Sequence, residues 1–115
     1  MEPRSSNLLD VLVVDDEREM ASALAELLNG EGIRSSFVTE PAKALEEIRA
    51  RKARVLLTDL NMPGMNGIEL IKQVRALAAY RFLPILFLTT ESQQSRKLEA
   101  KAAGASGWIV KPATA

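Results

Sequence analysis

A chain of 115 residues and 12.6 kDa has room for one domain, not for separate catalytic and regulatory domains. Fifteen Lys and Arg balance fifteen Asp and Glu, which argues against a generally basic nucleic-acid binder and against an acidic disordered tail. Cys and His are both absent, so disulfides, thiolate or imidazole metal sites, Ser-His triads and His general bases are excluded. Any chemistry must come from carboxylates, hydroxyls, lysine or backbone groups.

The opening MEPRSSN is polar and predicts a flexible leader over 1–7, with the folded domain over 8–115. It lacks the apolar stretch of a secretory signal, and no run approaches the about 20 apolar residues of a membrane span. A cytoplasmic protein without membrane contact is expected.

Val11 to Val14 is a short, continuously apolar, β-branched run and reads as the first strand. Arg18 to Leu28 carries Met20, Leu24, Leu27 and Leu28 at helical spacing, and Gly30 and Gly32 break it. Phe37-Val38 is a weaker strand behind two serines, suited to a sheet edge. Pro41 opens the second helix from its first turn, with Ala44, Leu45 and Ile48 on one face. Val55 to Leu57 is the third strand. Asn66 to Leu77 is the third helix, with Ile68, Ile71 and Val74 inward and Asn66-x-x-Glu69 as a capping box. Ile85 to Leu88 is the fourth strand and Ser92 to Ala103 the fourth helix, capped by Thr90 in Thr90-x-x-Gln93. Trp108 to Val110 is the fifth strand. Gly64 and Gly67 are expected to serve turns at positive φ.

Strand and helix alternate throughout, which predicts an α/β fold: a doubly wound, parallel, five-stranded sheet. The strands lack apolar–polar alternation, as expected when helices cover both faces. In such a sheet ligands bind beyond the carboxyl ends of the strands. Asp15 and Asp16 follow the first strand, Asp59 the third, Thr89 the fourth and Lys111 the fifth. Three carboxylates gathered at one rim repel one another and call for a counter-charge. A hard divalent cation answers that need, and a donor set without sulfur or imidazole points to Mg²⁺ or Mn²⁺ over zinc. With Lys111 as a second cation and Thr89 as a donor, Asp59 is placed to act as the nucleophile of a phosphoryl transfer.

Bland roles stand beside these. Asp16-x-x-Glu19 also reads as a helix cap, Asp59 as a turn former ahead of Pro63-Gly64, and Lys111 as an ordinary exposed lysine. Their joint occurrence at one rim favours the site. A second reading of the same groups is a small Mg²⁺-dependent phosphohydrolase of the haloacid-dehalogenase type. Its motifs run in a different order, and Asp59-Leu60-Asn61 lacks its second Asp. A flavodoxin-like cofactor binder is disfavoured because three acids would repel a flavin phosphate.

The pieces LVVDDE at 12–17, LLTDLNMPGMNG at 56–67, FLTTE at 87–91 and GASGWIVKP at 104–112 together resemble the receiver domain of two-component response regulators, and most closely its single-domain chemotaxis type. The resemblance spans Leu9 to Pro112 and implies the strand order 2-1-3-4-5. It implies that Asp59 accepts a phosphoryl group from a histidine kinase or a histidine phosphotransfer protein. Asp16 and Asp59 would ligate Mg²⁺ directly, Asp15 mainly through water, and the Asn61 backbone carbonyl would complete the set. Thr89 would be the switch hydroxyl and Trp108 the switch aromatic, where Tyr or Phe is more usual. Lys111 would be aimed inward by a cis bond to Pro112. Asn61 and Glu91 would tune dephosphorylation toward rapid turnover. An unidentified downstream protein would read the fourth-helix and fifth-strand surface. The chain stops where the family's fifth helix would begin, which predicts an open apolar face beside strands one and five, covered by a partner or by a second copy in a dimer or domain-swapped form.

Overall fold

The computed structural model describes residues 8–60, 66–89 and 95–110. The readings made at the leader and at Asn61, Gly64, Thr90, Glu91, Gln93, Lys111 and Pro112 lie outside these residues.

The elements alternate in chain order: β1 (Val11–Val14), α1 (Arg18–Gly30), β2 (Ser35–Val38), α2 (Pro41–Arg51), β3 (Val55–Asp59), α3 (Gly67–Ala76), β4 (Ile85–Thr89), α4 (Ser95–Ala103) and β5 (Gly107–Val110). A short 3₁₀ turn, Ala78–Tyr80, leads into β4. The five strands form one parallel sheet in the order β2-β1-β3-β4-β5, as expected.

Two apolar layers explain why the central strands are apolar on both sides. Val13, Leu57 and Leu88 pack against Ala21 of α1. Leu12, Leu56, Ile85 and Phe87 belong to a larger cluster with Ile48 of α2, Leu70, Ile71 and Val74 of α3, and Ala100 of α4. Phe87 is fully buried, and its truncation to Ala would cost about 3–5 kcal/mol.

Local signals account for most boundaries. Pro41 occupies the first turn of α2, where its missing N–H removes nothing. That helix ends at Lys52, whose φ of 52° is left-handed and whose N–H donates to the Ile48 carbonyl at 2.9 Å. The edge strand β2 begins two residues earlier than its apolar pair suggests. Asn29 clasps Ser35 from both sides: the Ser35 N–H donates to Asn29 Oδ1 at 2.8 Å and Asn29 Nδ2 to the Ser35 carbonyl at 3.0 Å. Across the molecule, Arg75 of α3 donates to the carbonyls of Gly104 and Tyr80, each at 2.9 Å, and ties α3 to the two turns leading into β4 and β5. Burial pulls the Arg75 guanidinium below its ordinary pKa.

Among the described residues, apolar side chains of α1 and β5 are exposed side by side. Met20, Leu27, Ile109 and Val110 are exposed beside a groove of about 280 Å³, with Leu24 and Leu88 in its wall.

Candidate functional site

Parallel pairing in register makes the site. Val14 of β1 lies opposite Thr58 of β3, so the residues that follow them, Asp15 and Asp59, sit side by side at the carboxyl rim. Asp59 is itself the last residue of β3 rather than the first of a loop. Asp15 is 1% and Asp59 5% exposed, while Asp16 is open to solvent. Carboxylate oxygens of all three lie within 4.8 Å of one another.

Asp15 is held by backbone on both sides, and Asp59 is met by the hydroxyl of its neighbour. Asp15 N–H donates to the Val38 carbonyl of β2 at 3.2 Å, and Asp15 Oδ1 accepts the Glu17 N–H at 3.1 Å. The hydroxyl of Thr58 donates to the Asp59 carbonyl at 3.0 Å. The helix-cap role weighed for Asp16 is not found. The N-cap of α1 is Glu17, and no side chain caps the helix there. Asp15 turns the chain between β1 and α1, the N-cap falls one residue beyond Asp16, and the Asp16 carboxylate is left at the rim.

Gly67 corrects a second reading. Its backbone does not take positive φ; among the described glycines only Gly32 and Gly104 do. The requirement is space. A Cβ at Gly67 would overlap the Asp59 carbonyl oxygen and stand 2.8 Å from Leu60 Cα. The Gly67 N–H donates to the Leu60 carbonyl at 2.7 Å. Asn66 caps α3 as predicted, its Oδ1 accepting the Glu69 N–H at 2.9 Å. The first turn of α3 is therefore seated on the backbone of Asp59. Sequence reasoning missed this contact, although the small residue directly after the Asn66 cap was a signal for it.

Two carboxylates no more than 4.8 Å apart repel by on the order of 3 kcal/mol at an effective protein dielectric of about 20. The donor set, three carboxylates with two of them buried and no nitrogen or sulfur, fits a hard oxygen-seeking divalent cation such as Mg²⁺ or Mn²⁺.

Thr89 ends β4, fully buried, on the strand next to β3. Trp108 of β5 lies beside Phe87, with ring centroids 6.1 Å apart, and Lys97 Nζ of α4 sits 4.7 Å from the Trp108 ring centroid. The indole is 41% exposed, held between a buried ring and a surface cation. Asp15, Asp16 and Asp59 are thus brought together; Thr89 ends β4 at the same rim, and Trp108 on the adjacent strand pairs with Phe87, two residues back from it. Among the described residues no helix is long and apolar enough to cross a membrane.

A family profile, the response regulator receiver domain, matches residues 11–115. The chemotaxis protein CheY-3 of Vibrio cholerae is 35% identical over all of this chain and 89% of its own length. The chemotaxis protein CheY of Pseudomonas aeruginosa is 36% identical over 93% of this chain and 87% of its own. Among solved structures, the chemotaxis response regulator CheY4 of Vibrio cholerae superposes with a TM-score of 0.83 at 38% identity, covering 91% of this chain and 88% of that one. A response regulator from Chloroflexus aurantiacus gives 0.84 at 32% identity, covering 91% and 86%.

Proposed function

Since the chain belongs to the response regulator receiver family, as a signalling phosphoacceptor and not a true enzyme, we propose that Asp59 is the residue that takes the phosphoryl group. Receiver domains accept phosphate from histidine kinases. The observation that carries the assignment is the convergence of Asp15, Asp16 and Asp59 within 4.8 Å at the carboxyl ends of β1 and β3.

In this reading a carboxylate oxygen of Asp59 attacks phosphorus, the new O–P bond replaces the N–P bond of a phosphohistidine donor, and the imidazole leaves with the bonding pair. Asp15, Asp16 and Asp59 would hold Mg²⁺ or Mn²⁺, with the Asn61 carbonyl, which lies outside the described residues. Bound there, the cation would neutralise charge spread over the phosphoryl oxygens. Lys111, also outside the described residues, would supply a fixed cation, and Thr89 a hydroxyl donor to the transferred group. Asn61 and Glu91 would position the water that later hydrolyses the acyl phosphate.

Phosphorylation exchanges one negative charge at Asp59 for about two. Thr89 would move toward the added oxygens and shift β4, and Trp108 would repack against Phe87 and Lys97. The surface of α4 and β5 would then be read by a downstream protein. Such a switch is a population shift, and its size is set by how differently the two states hold the phosphoryl group.

The test is incubation with a small phosphodonor, with and without Mg²⁺, followed by intact-mass measurement. The wild-type chain should gain one phosphoryl group only with the cation, and Asp59→Asn should gain none. Equal labelling of both chains would sink the assignment.

A further inference from the structure

The formal charge of zero conceals two poles. Among the described residues, the carboxyl rim and the first helical turns beside it carry Asp15, Asp16, Glu17, Glu19, Glu40, Asp59 and Glu69 against Arg18, Lys43, Arg96 and Lys97. At the opposite end of the sheet, the described segments leading into β1, β2, β3 and β4 carry Arg34, Lys52, Arg54 and Arg81 against Asp10 and Glu31. The last turn of α2 adds Arg49 and Arg51. Asp10 is already shared, 3.5 Å from Arg34 and 3.8 Å from Arg54, so it does not balance Lys52 or Arg81.

Within this basic pole is an apolar hollow of about 420 Å³, between the α2–β3 turn and the 3₁₀ turn before β4. Lys52, Ala53, Ala79, Tyr80, Phe82 and Leu83 line it. Phe82 is 88% exposed, the most exposed large apolar side chain among the described residues, and the Arg81 guanidinium lies 5.8 Å from its ring centroid. Complementing the α2 dipole accounts for Arg49 and Arg51. It does not account for a bare phenylalanine beside an apolar recess whose rim carries Lys52 and Arg81.

We infer that this pole is a docking surface for an acidic protein segment bearing one apolar side chain. The apolar side chain fills the hollow against Tyr80, Leu83 and Phe82, and the flanking carboxylates meet Lys52, Arg81 and the exposed Arg54. An anionic bilayer fits less well. Ala53, Tyr80 and Leu83 of the wall are buried or half-buried between the two turns, within reach of an inserted side chain, while Ala79 and Phe82 stand at the surface. The surface lies at the end of the sheet away from Asp59, so its occupancy is independent of the chemistry there.

The experiment is fluorescence anisotropy of the full chain with a short synthetic peptide of glutamates and aspartates around one leucine. Two controls replace its acids by serines or its leucine by glycine. The inference predicts that each control binds about tenfold more weakly. Phe82→Ser, and the double change Lys52→Gln with Arg81→Gln, should each weaken binding about tenfold with little change in melting temperature, because these side chains are solvent-facing. Binding should also weaken as salt rises. Phosphoryl labelling at Asp59 should be untouched in both variants. Failure of the acidic peptide to bind overturns the inference, as does binding indifferent to Phe82→Ser. Co-sedimentation with phosphatidylserine vesicles in the absence of peptide binding would assign the pole to a membrane instead and overturn it too.

Discussion

Gly67 is packed against the carbonyl oxygen of Asp59 so closely that no side-chain carbon fits between them. The N-terminus of α3 thereby fixes the backbone of the residue proposed to carry the phosphoryl group, and it does so through contact, with no demand on φ.

Gly67→Ala should therefore damage both stability and phosphorylation. Backbone on both sides resists the new methyl, so a loss of about 1–3 kcal/mol is expected from urea unfolding. The rate of labelling by a small phosphodonor should fall with it. If Gly67→Ala unfolds at the wild-type midpoint, the close approach is not a constraint.

The acidic cluster makes an opposite prediction for the metal-free chain. Asp15→Asn keeps the Oδ1 acceptor used by the Glu17 N–H but removes one of three converging charges. In chelator, thermal or urea unfolding should show the variant more stable by on the order of 1 kcal/mol. Added Mg²⁺ should raise the wild-type melting temperature and that of the variant much less. A variant stabilised by Mg²⁺ as strongly as the wild type would contradict the cluster's role.

Much of this arrangement was legible in the chain and part was not. Val11–Val14 and Ile85 to Leu88 declared themselves as parallel strands through unbroken apolar runs, and the acids read as following the first and third strands came to the carboxyl rim by the rule for such sheets. Pro41 and Asn66 marked helix starts because their chemistry acts within one turn. Asp16 did not cap α1, since its competing local pattern carried no information about how Asp15 turns the chain. Ser35 and Ser36 are strand residues only because β1 pairs with them and Asn29 clasps Ser35, both of them contacts made across the fold. Gly67 needed a neighbour from another element, the carbonyl of Asp59, and no local pattern encodes that.

Asp10 gives the fold a pH dependence. A backbone hydrogen bond from Arg34, 2.9 Å long, lowers the Asp10 pKa from its ordinary 3.8, and the Arg34 side chain lowers it further. A depressed carboxylate contributes stability that is present above the ordinary value and lost as pH falls through the folded one. The difference between wild type and Asp10→Asn in urea unfolding should therefore be present near neutrality and shrink below about pH 4. A difference unchanged at low pH would remove Asp10 from this role.

Trp108 is the single tryptophan of the chain, so its emission reports directly on the contact with Phe87 and Lys97. Phosphorylation should change that emission, and Thr89→Ala should abolish most of the change while leaving Asp59 able to accept the group. An identical response in Thr89→Ala would separate Trp108 from the hydroxyl.

The open groove beside α1 should bind an apolar reporter dye. Leu27 is 64% exposed at its edge, so Leu27→Gln should lower dye fluorescence while changing stability by no more than about 0.5 kcal/mol. Unchanged dye binding would place the apolar site elsewhere.

The central claim is that the phosphoryl group resides on Asp59, and borohydride trapping reads it at residue level. Hydride reduces an acyl phosphate to the alcohol with loss of phosphate, so a phosphorylated aspartate becomes homoserine. After phosphodonor and Mg²⁺ treatment, peptide mass spectrometry should find homoserine at position 59 and at no other acid, and none when Mg²⁺ is withheld. Homoserine at position 15 or 16, or its appearance at 59 regardless of the cation, would contradict the account.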